Sequence, residues 1–192
     1  MSRLACLFAL LISAPAIAQQ PASTSPFYPT AVGTEWTFRS GPFEIIERIT
    51  KHEVVDGENC ARVETIFNGK VVSHEHIAVR KDGVYRVSVA GTPVVPPLQI
   101  IHFPVQDGAS WAIKSTVKGQ SVAGTFTLGA AQVTVPAGKF QTITVSGKDF
   151  GTKDKPLAFT YHFAPEVGKV KQVVAVGDRS TVLELKEFKP GN

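Results

Sequence analysis

The sequence contains few cysteines, few charged residues and no long apolar runs, and each shortage excludes a class of protein. Two cysteines in 192 residues exclude a disulfide-rich scaffold. Charged residues make up 19% of the chain and hydrophobic residues 43%, a balance too apolar for a disordered chain. No apolar run reaches the roughly 18 residues of a membrane-spanning helix. We therefore expect a globular chain that does not span a membrane with helices.

Catalytic and nucleic-acid-binding motifs are also missing. The chain has no Gly-x-Ser-x-Gly elbow, no phosphate-binding glycine loop and no His-Glu-x-x-His zinc motif. The formal net charge is only +4, and no basic patch is interleaved with aromatic residues. The sequence therefore predicts a protein that is not an enzyme, takes no cofactor or metal, and does not bind nucleic acid.

The N-terminus has the three parts of a secretory signal peptide. Arg3 is followed by the apolar segment Leu4–Ile12, and Ala16-Ile17-Ala18 places small residues where a signal peptidase reads them. Cys6 raises a lipoprotein alternative, but a lipidated cysteine follows the apolar segment instead of lying within it. We expect cleavage after Ala18 and an exported chain, periplasmic or extracellular, that starts at Gln19.

The remainder of the chain alternates between strand-like segments and turn signals. Residues 19–27 predict a flexible tether, and residues 28–189 predict a single β-rich domain. Leu157, Phe159, Tyr161 and Phe163 alternate with smaller or polar residues, which predicts one apolar face on that strand. About ten to twelve strands fit, with little helix. The turn signals include Asp56-Gly57, Asn68-Gly69 and Asp82-Gly83.

One motif occurs twice at an offset of 75 residues. Tyr28-Pro29-x3-Gly33-x2-Trp36 is repeated as Phe103-Pro104-x3-Gly108-x2-Trp111. This favours duplication of a strand-rich unit, with halves at about 28–102 and 103–189. We expect the two tryptophans to be buried anchors at equivalent places.

The segment Gly91–Phe103 is apolar and rich in proline. One interpretation is an irregular crossover between the two halves, packed on the sheet. The other is the apolar rim of a ligand cavity, because exposed apolar patches usually mark binding sites. The predicted ligand-binding residues are Val94, Val95, Leu98, Ile100, Ile101 and Phe103.

Histidine and cysteine side chains supply the few candidates for chemistry. His74 and His76 project from one face of a strand at a spacing that can serve a metal, given a third ligand. We expect them to be a solvated pair, and we expect His162 to lie at the surface or to line a cavity. Cys60 has no neighbour in sequence that lowers its pKa, which favours a buried, unreactive thiol.

Two segments resemble a family of exported bacterial β-rich proteins of unknown function related to the TapB-like proteins. They are Val133-Thr-Val-Pro-Ala-Gly-Lys-Phe140 and Tyr161-His-Phe-Ala-Pro-Glu-Val-Gly-Lys-Val-Lys171. The resemblance implies an antiparallel meander curled into an open or half barrel. The implied fold is also similar, more remotely, to that of LolA-type lipoprotein carriers, in which a curved sheet encloses an apolar cavity.

Three functions stay open at this point. The chain is either an exported binding protein that holds a lipid, another apolar ligand or a lipidated partner, or an envelope structural protein with a filled core that binds another envelope protein. The third reading is an enzyme that uses His74, His76 or His162. A cavity without catalytic partners favours the first reading, and a filled core favours the second.

Overall fold

The structure, a computed structural model, describes residues 25–152 and 155–192. The predicted signal peptide lies outside these residues. The described part of the chain is all β and contains no helix long and apolar enough to cross a membrane. The strands are β1 (Glu35–Ser40), β2 (Phe43–Val55), β3 (Glu58–Phe67), β4 (Lys70–Arg80), β5 (Gly83–Val89), β6 (Thr92–His102), β7 (Ser110–Val117), β8 (Gln120–Val135), β9 (Gly138–Thr152), β10 (Lys155–Ala164), β11 (Gly168–Val176) and β12 (Arg179–Lys189).

These 12 strands form a closed antiparallel barrel in which each strand pairs with its neighbours in sequence. The first and last strands also pair, with Trp36 opposite Phe188, and this pairing closes the barrel. The prediction of an open or half barrel is therefore wrong. Closure gives each described strand a neighbour on both sides, so the sheet has no free edge strand.

The predicted turns lie where the strands reverse. Asp56-Gly57 connects β2 to β3, and Asn68-Gly69 connects β3 to β4. All four residues have positive φ, which Asn, Asp and Gly tolerate better than other residues. The third signal is displaced by one residue, because Gly83 already begins β5.

Alternate residues of each strand point into the barrel, where most of the apolar side chains meet. Phe159, Tyr161 and Phe163 of β10 belong to this interior, as their alternation predicts. Its fully buried members include Phe38, Ile49, Val63, Ile77, Val84, Ile101, Val145 and Leu185.

The segment before β1 covers the end of the barrel at which the chain enters and leaves. Tyr28 is buried there, and its ring packs against Trp36 and Phe163 at 6.2 and 6.4 Å between centroids. The C-terminus lies beside this segment, since the backbone nitrogen of Asn192 donates to the carbonyl oxygen of Val32 at 3.3 Å. Both ends of the described chain thus lie at the same end of the barrel.

The segment expected to be an irregular crossover is strand β6, so that interpretation is wrong. The prolines of this segment interrupt its pairing with the neighbouring strands, but the segment still belongs to the sheet. Two register shifts break its pairing with β5, and its ladder with β7 joins only Val94 to Val117 and Val95 to Thr116. A proline lacks a backbone donor, which explains both the sparse ladder and the misleading sequence signal.

The repeated motif makes the same backbone contacts at both sites. The backbone N–H of Gly33 donates to the carbonyl oxygen of Ile49 at 2.8 Å. The N–H of Ile49 donates in return to the carbonyl oxygen of Thr34 at 2.9 Å. Gly108 and Ala109 form the same pair of hydrogen bonds with Leu128, at 3.0 and 2.8 Å.

The two tryptophans of the motif occupy the second positions of β1 and β7, six strands apart around the barrel. Trp36 is buried, as expected, whereas Trp111 is only half-buried. The duplication itself stays a prediction.

Candidate functional site

The barrel interior contains an apolar cavity of about 230 Å³ between β5 and β10. Its apolar lining is formed by Val89, Val94, Leu98, Val117, Val122, Phe126, Phe150 and Phe159. The polar groups in the lining come from Arg86 and Tyr161. An apolar cavity with a few converging polar groups is the usual form of a small-molecule site.

The aromatic wall of this cavity depends on glycines in β8 and β9. A Cβ at Gly124 would lie 2.5 Å from the Phe150 ring, and a Cβ at Gly147 would lie 2.5 Å from the Phe126 ring. The two rings pack together at 5.1 Å between centroids. The glycines therefore let two phenylalanine rings lie flat against the inner wall of the barrel.

Two ion pairs lie inside the barrel. Arg86 Nε donates to Glu75 Oε2 at 2.5 Å, and Lys169 Nζ donates to Glu47 Oε1 at 2.7 Å. All four side chains are less than a quarter exposed. Removing charges from water is costly unless they are paired, so the pairs keep this interior electrically neutral.

Further contacts hold both cations in place. Lys169 Nζ also donates to Gln172 Oε1 at 3.1 Å and lies 5.0 Å from the centre of the Phe38 ring. Burial opposes the charge of Arg86, but Glu75, together with Tyr161 and Tyr28, more than offsets it, so the pKa of the guanidinium is raised. Burial, with the nearby Glu75 and Glu47 carboxylates, raises the pKa of Tyr28 well above its ordinary value, so that phenol stays neutral.

The structure divides the predicted ligand-binding residues among three environments. Val94 and Leu98 line the cavity. Ile100 and Ile101 are buried in the core, and Phe103 packs against it. Val95 is 60% exposed on the outer face of the barrel. Whether any of them binds a ligand stays a prediction.

His74 and His76 lie together on the outer face of β4. We expected both to be solvated, but His76 is buried. It is 6% exposed. Its Nδ1 lies 2.5 Å from Ser88 Oγ, and its Nε2 lies 2.5 Å from Glu53 Oε1. Polar neighbours therefore occupy both ring nitrogens. Within residues 25–152 and 155–192, no three His, Cys, Asp or Glu side chains are placed to hold a metal ion.

The other histidines lie apart from this pair. His52 Nε2 lies 2.7 Å from the carbonyl oxygen of Thr30 at the covered end of the barrel. The His102 ring packs against Trp111 at 5.8 Å between centroids. His162 lies on the outer face of β10, where Thr142 Oγ1 is 3.4 Å from its Nδ1. Burial, and then the charge of Lys171, lower the pKa of His162.

Cys60 is fully buried, as the sequence predicts. It packs with Ala78, Tyr85 and Val87 in a small cluster on the outer face of β3 to β5. Burial raises the pKa of its thiol to about 11. A thiol this basic is almost fully protonated at neutral pH, which disfavours the reactive thiolate form.

A second hollow, of about 420 Å³, lies at the opposite end of the barrel from Tyr28. It is lined by Ser40, Phe43, Ile45, Thr65, Phe67 and Val72 beside the β1–β2 and β3–β4 turns. Phe43 is 56% exposed and meets the edge of Phe67 at 5.8 Å. Unlike the first cavity, this hollow has no charged side chain in its lining.

The interior charges were not predicted, although the sequence contains a signal for them. Glu75 alternates with Ile77 and Val79, so it lies on the apolar face of its strand. Arg86 stands in the same relation to Val84. A charged residue at an inward position is a stronger indication of a site than His74 and His76 on the polar face.

The fold is similar to that of two solved structures. A provisionally named lipoprotein from Parabacteroides distasonis ATCC 8503 has 12% identity and a TM-score of 0.55, over 87% of this chain and 100% of that one. A provisionally named exported protein with a YmcC-like fold, from Bacteroides fragilis NCTC 9343, has 15% identity and a TM-score of 0.51, over 86% and 100%. At these identities the likeness shows the fold alone.

No protein-family model matches the chain, and no curated protein matches it. A relation to the TapB-like proteins or to LolA-type carriers is therefore not shown and stays a prediction.

Proposed function

We propose that the chain is an exported, non-enzymatic binding protein that holds a small apolar ligand inside its barrel. The observation that carries the proposal is the cavity with eight apolar side chains and two polar ones in its lining. A barrel interior that served stability alone would be filled at the density of a protein core. Here glycines at positions 124 and 147 preserve the shape of an aromatic wall beside empty space.

The cavity volume limits the size of the ligand. Drug-sized ligands occupy sites of roughly 300–1,000 Å³, whereas an apolar cavity of about 150 Å³ binds benzene. At about 230 Å³, the cavity suits one aromatic ring with a short substituent, or the end of a longer chain. A whole lipid does not fit, so we narrow the predicted ligand to a small apolar molecule or group.

Export is supported by the N-terminal pattern and by the names of the two structural neighbours. Arg3, the apolar run Leu4–Ile12 and the small residues at Ala16 and Ala18 match the order of a secretory signal. Of the two proteins with the similar fold, one is provisionally named a lipoprotein and the other an exported protein.

Native mass spectrometry of the chain from Gln19 onward, purified from an exporting host without detergent, tests the binding function. We expect an additional mass that organic solvent releases. An apo mass alone, from cultures and extracts that contain small apolar compounds, would contradict the proposal and favour the envelope structural protein.

Two neighbouring valines provide matched variants for this experiment. Val94→Phe places a larger side chain in the cavity, whereas Val95→Phe adds the same side chain on the outer face of β6. We expect the first variant to lose the additional mass and the second to keep it. Equal retention in both would show that the bound molecule lies elsewhere.

A further inference from the structure

The polar end of the cavity indicates which class of ligand it accepts, if the proposed function holds. Arg86 and Tyr161 are the polar residues that reach the cavity, and Arg86 is also one partner of an interior ion pair. Its hydrogen bond to Glu75 uses Nε. The terminal nitrogens Nη1 and Nη2 of the guanidinium then provide donors for a ligand, and the Tyr161 hydroxyl provides another.

The charges around these donors are already balanced. Glu75 neutralises Arg86, and Glu47 neutralises Lys169. A ligand carboxylate would therefore compete with Glu75 for Arg86 and bring an uncompensated negative charge into the barrel. A ligand ammonium would meet the donors of Arg86 and its positive charge. Burying an unpaired charge is far more costly than burying a neutral acceptor that receives a hydrogen bond.

We propose that the cavity binds an uncharged apolar molecule that carries a hydrogen-bond acceptor, such as a ketone, ester or amide, with the acceptor at Arg86 and Tyr161. The apolar part lies against Phe126, Phe150 and Phe159. The ion pair provides a fixed hydrogen-bond donor. It favours a ligand that carries an acceptor but not a ligand that carries a net charge.

Four probes of similar size separate the alternatives: acetophenone, ethylbenzene, benzoate and benzylamine. Ligand-detected NMR titrations at pH 7 give the dissociation constant of each. We expect acetophenone to bind about threefold to tenfold more tightly than ethylbenzene, because one net hydrogen bond contributes that factor. We expect both charged probes to bind more weakly than ethylbenzene.

The outcomes distinguish this inference from the proposed function. Binding of benzoate or benzylamine as tight as that of acetophenone would overturn the inference and leave the binding function standing. Equal binding of acetophenone and ethylbenzene would also overturn it. If none of the four probes binds and the purified protein carries no copurified molecule in the cavity, both proposals fail.

Variants of the ion pair test the donor directly. The double substitution Arg86→Met/Glu75→Gln removes both charges together, so neither is left unpaired. We expect it to reduce the advantage of acetophenone over ethylbenzene, with the Tyr161 hydroxyl left as the remaining donor. The matched control is Arg80→Met/Glu58→Gln, because Arg80 and Glu58 form a pair on the outer face of the barrel with distances of 2.7 and 2.8 Å.

Tyr161→Phe gives a second test should the double variant fail to fold. It removes only the hydroxyl, and the stacked rings of Phe159 and Phe163 on either side of Tyr161 can remain in place. We expect the advantage of acetophenone over ethylbenzene to shrink. An advantage that is unchanged in every folded variant would overturn the assignment of the acceptor to this end of the cavity.

Discussion

Gly147 makes room for the aromatic wall of the cavity. Its φ lies outside the left-handed region, so the absence of a side chain serves space and not backbone conformation. Gly147→Ala would place a Cβ 2.5 Å from Phe126 and 3.0 Å from Phe150. We expect the rings to shift and the free energy of unfolding to fall by about 1–3 kcal/mol, as overpacking usually costs. Urea denaturation measures the change.

Ser146→Ala is the matched control for this substitution. Ser146 precedes Gly147 on β9 and lies on the opposite face of the strand. It should alter the free energy of unfolding only slightly. The explanation is wrong if Gly147→Ala and Ser146→Ala prove equally stable.

Glu53, which contacts His76 on the outer face of the barrel, stabilises the fold in a way that depends on pH. The hydrogen bonds from Lys51 and then His76 lower the pKa of its carboxyl to about 2. A carboxyl with a lowered folded pKa stabilises the protein above its unfolded pKa and loses that contribution as the pH falls through the folded value. Glu53→Gln should therefore cost about 1–3 kcal/mol at pH 7.

The difference in the free energy of unfolding between Glu53→Gln and the unsubstituted protein should shrink between about pH 5 and pH 2, where the carboxyl becomes protonated. Urea denaturation of both proteins at pH 7, 4 and 2.5 measures it. A difference that stays constant over this range would show that the ionised carboxyl is not the source of the stability.

The alternation of apolar and polar residues along a strand predicts which of its faces points into the barrel. It does not predict which two strands pair to close the barrel. On β10, the spacing of Phe159, Tyr161 and Phe163 correctly predicts the interior face. Closure depends on the pairing of Trp36 with Phe188, and nothing within either short segment encodes that contact. The prolines of β6 mislead for a related reason. They indicate a weak ladder, and the sequence cannot distinguish a weakly paired strand from a loop.

The seam between β6 and β7 is where the barrel should open most easily. Its ladder joins two pairs of residues, whereas β8 and β9 pair continuously from Thr125 to Val135 on β8. Val94 and Val117 of the seam also line the cavity. Local opening requires few broken hydrogen bonds here, so we expect a ligand to enter and leave through this seam.

A disulfide across the seam tests this role. Val95 and Thr116 are directly paired and lie on the outer face, and paired antiparallel residues have the Cα separation that a disulfide needs. Val95→Cys/Thr116→Cys should slow both association and dissociation of a bound probe and leave its dissociation constant nearly unchanged. Stopped-flow exchange of acetophenone, with and without reductant, measures the rates.

The control for the locked seam is Gln132→Cys/Gln141→Cys, which joins two exposed, paired residues of β8 and β9. It should not alter the exchange rates. If both disulfides slow exchange equally, the ligand does not pass between β6 and β7. Cys60 should not interfere, because it is fully buried.

Closure of the whole barrel makes every strand depend on two neighbours, including the first and the last. The chain enters and leaves at one end, where Gly191 fits between the carbonyl oxygens of Ala31 and Val32. A Cβ at Gly191 would lie 2.5 Å from one of these oxygens and 2.6 Å from the other. The two ends of the described chain are thus held side by side, as circular permutation requires.

A circular permutant tests whether the two predicted halves are interchangeable in order. Its chain runs from Gln106 to Asn192, continues through a short linker to Ser25, and ends at Val105. The new ends fall in an exposed connection between β6 and β7, where few strand hydrogen bonds cross. Because each half keeps its strands intact, we expect the permutant to fold into the same closed barrel and to retain the cavity. Circular dichroism and acetophenone titration measure both properties.

A second permutant cut between Phe126 and Thr127, in the middle of β8, should fail to fold, since the cut interrupts the longest ladder of the barrel. Equal folding of the two permutants would show that continuity of β8 is not needed, and failure of both would show that the order of the halves matters to folding.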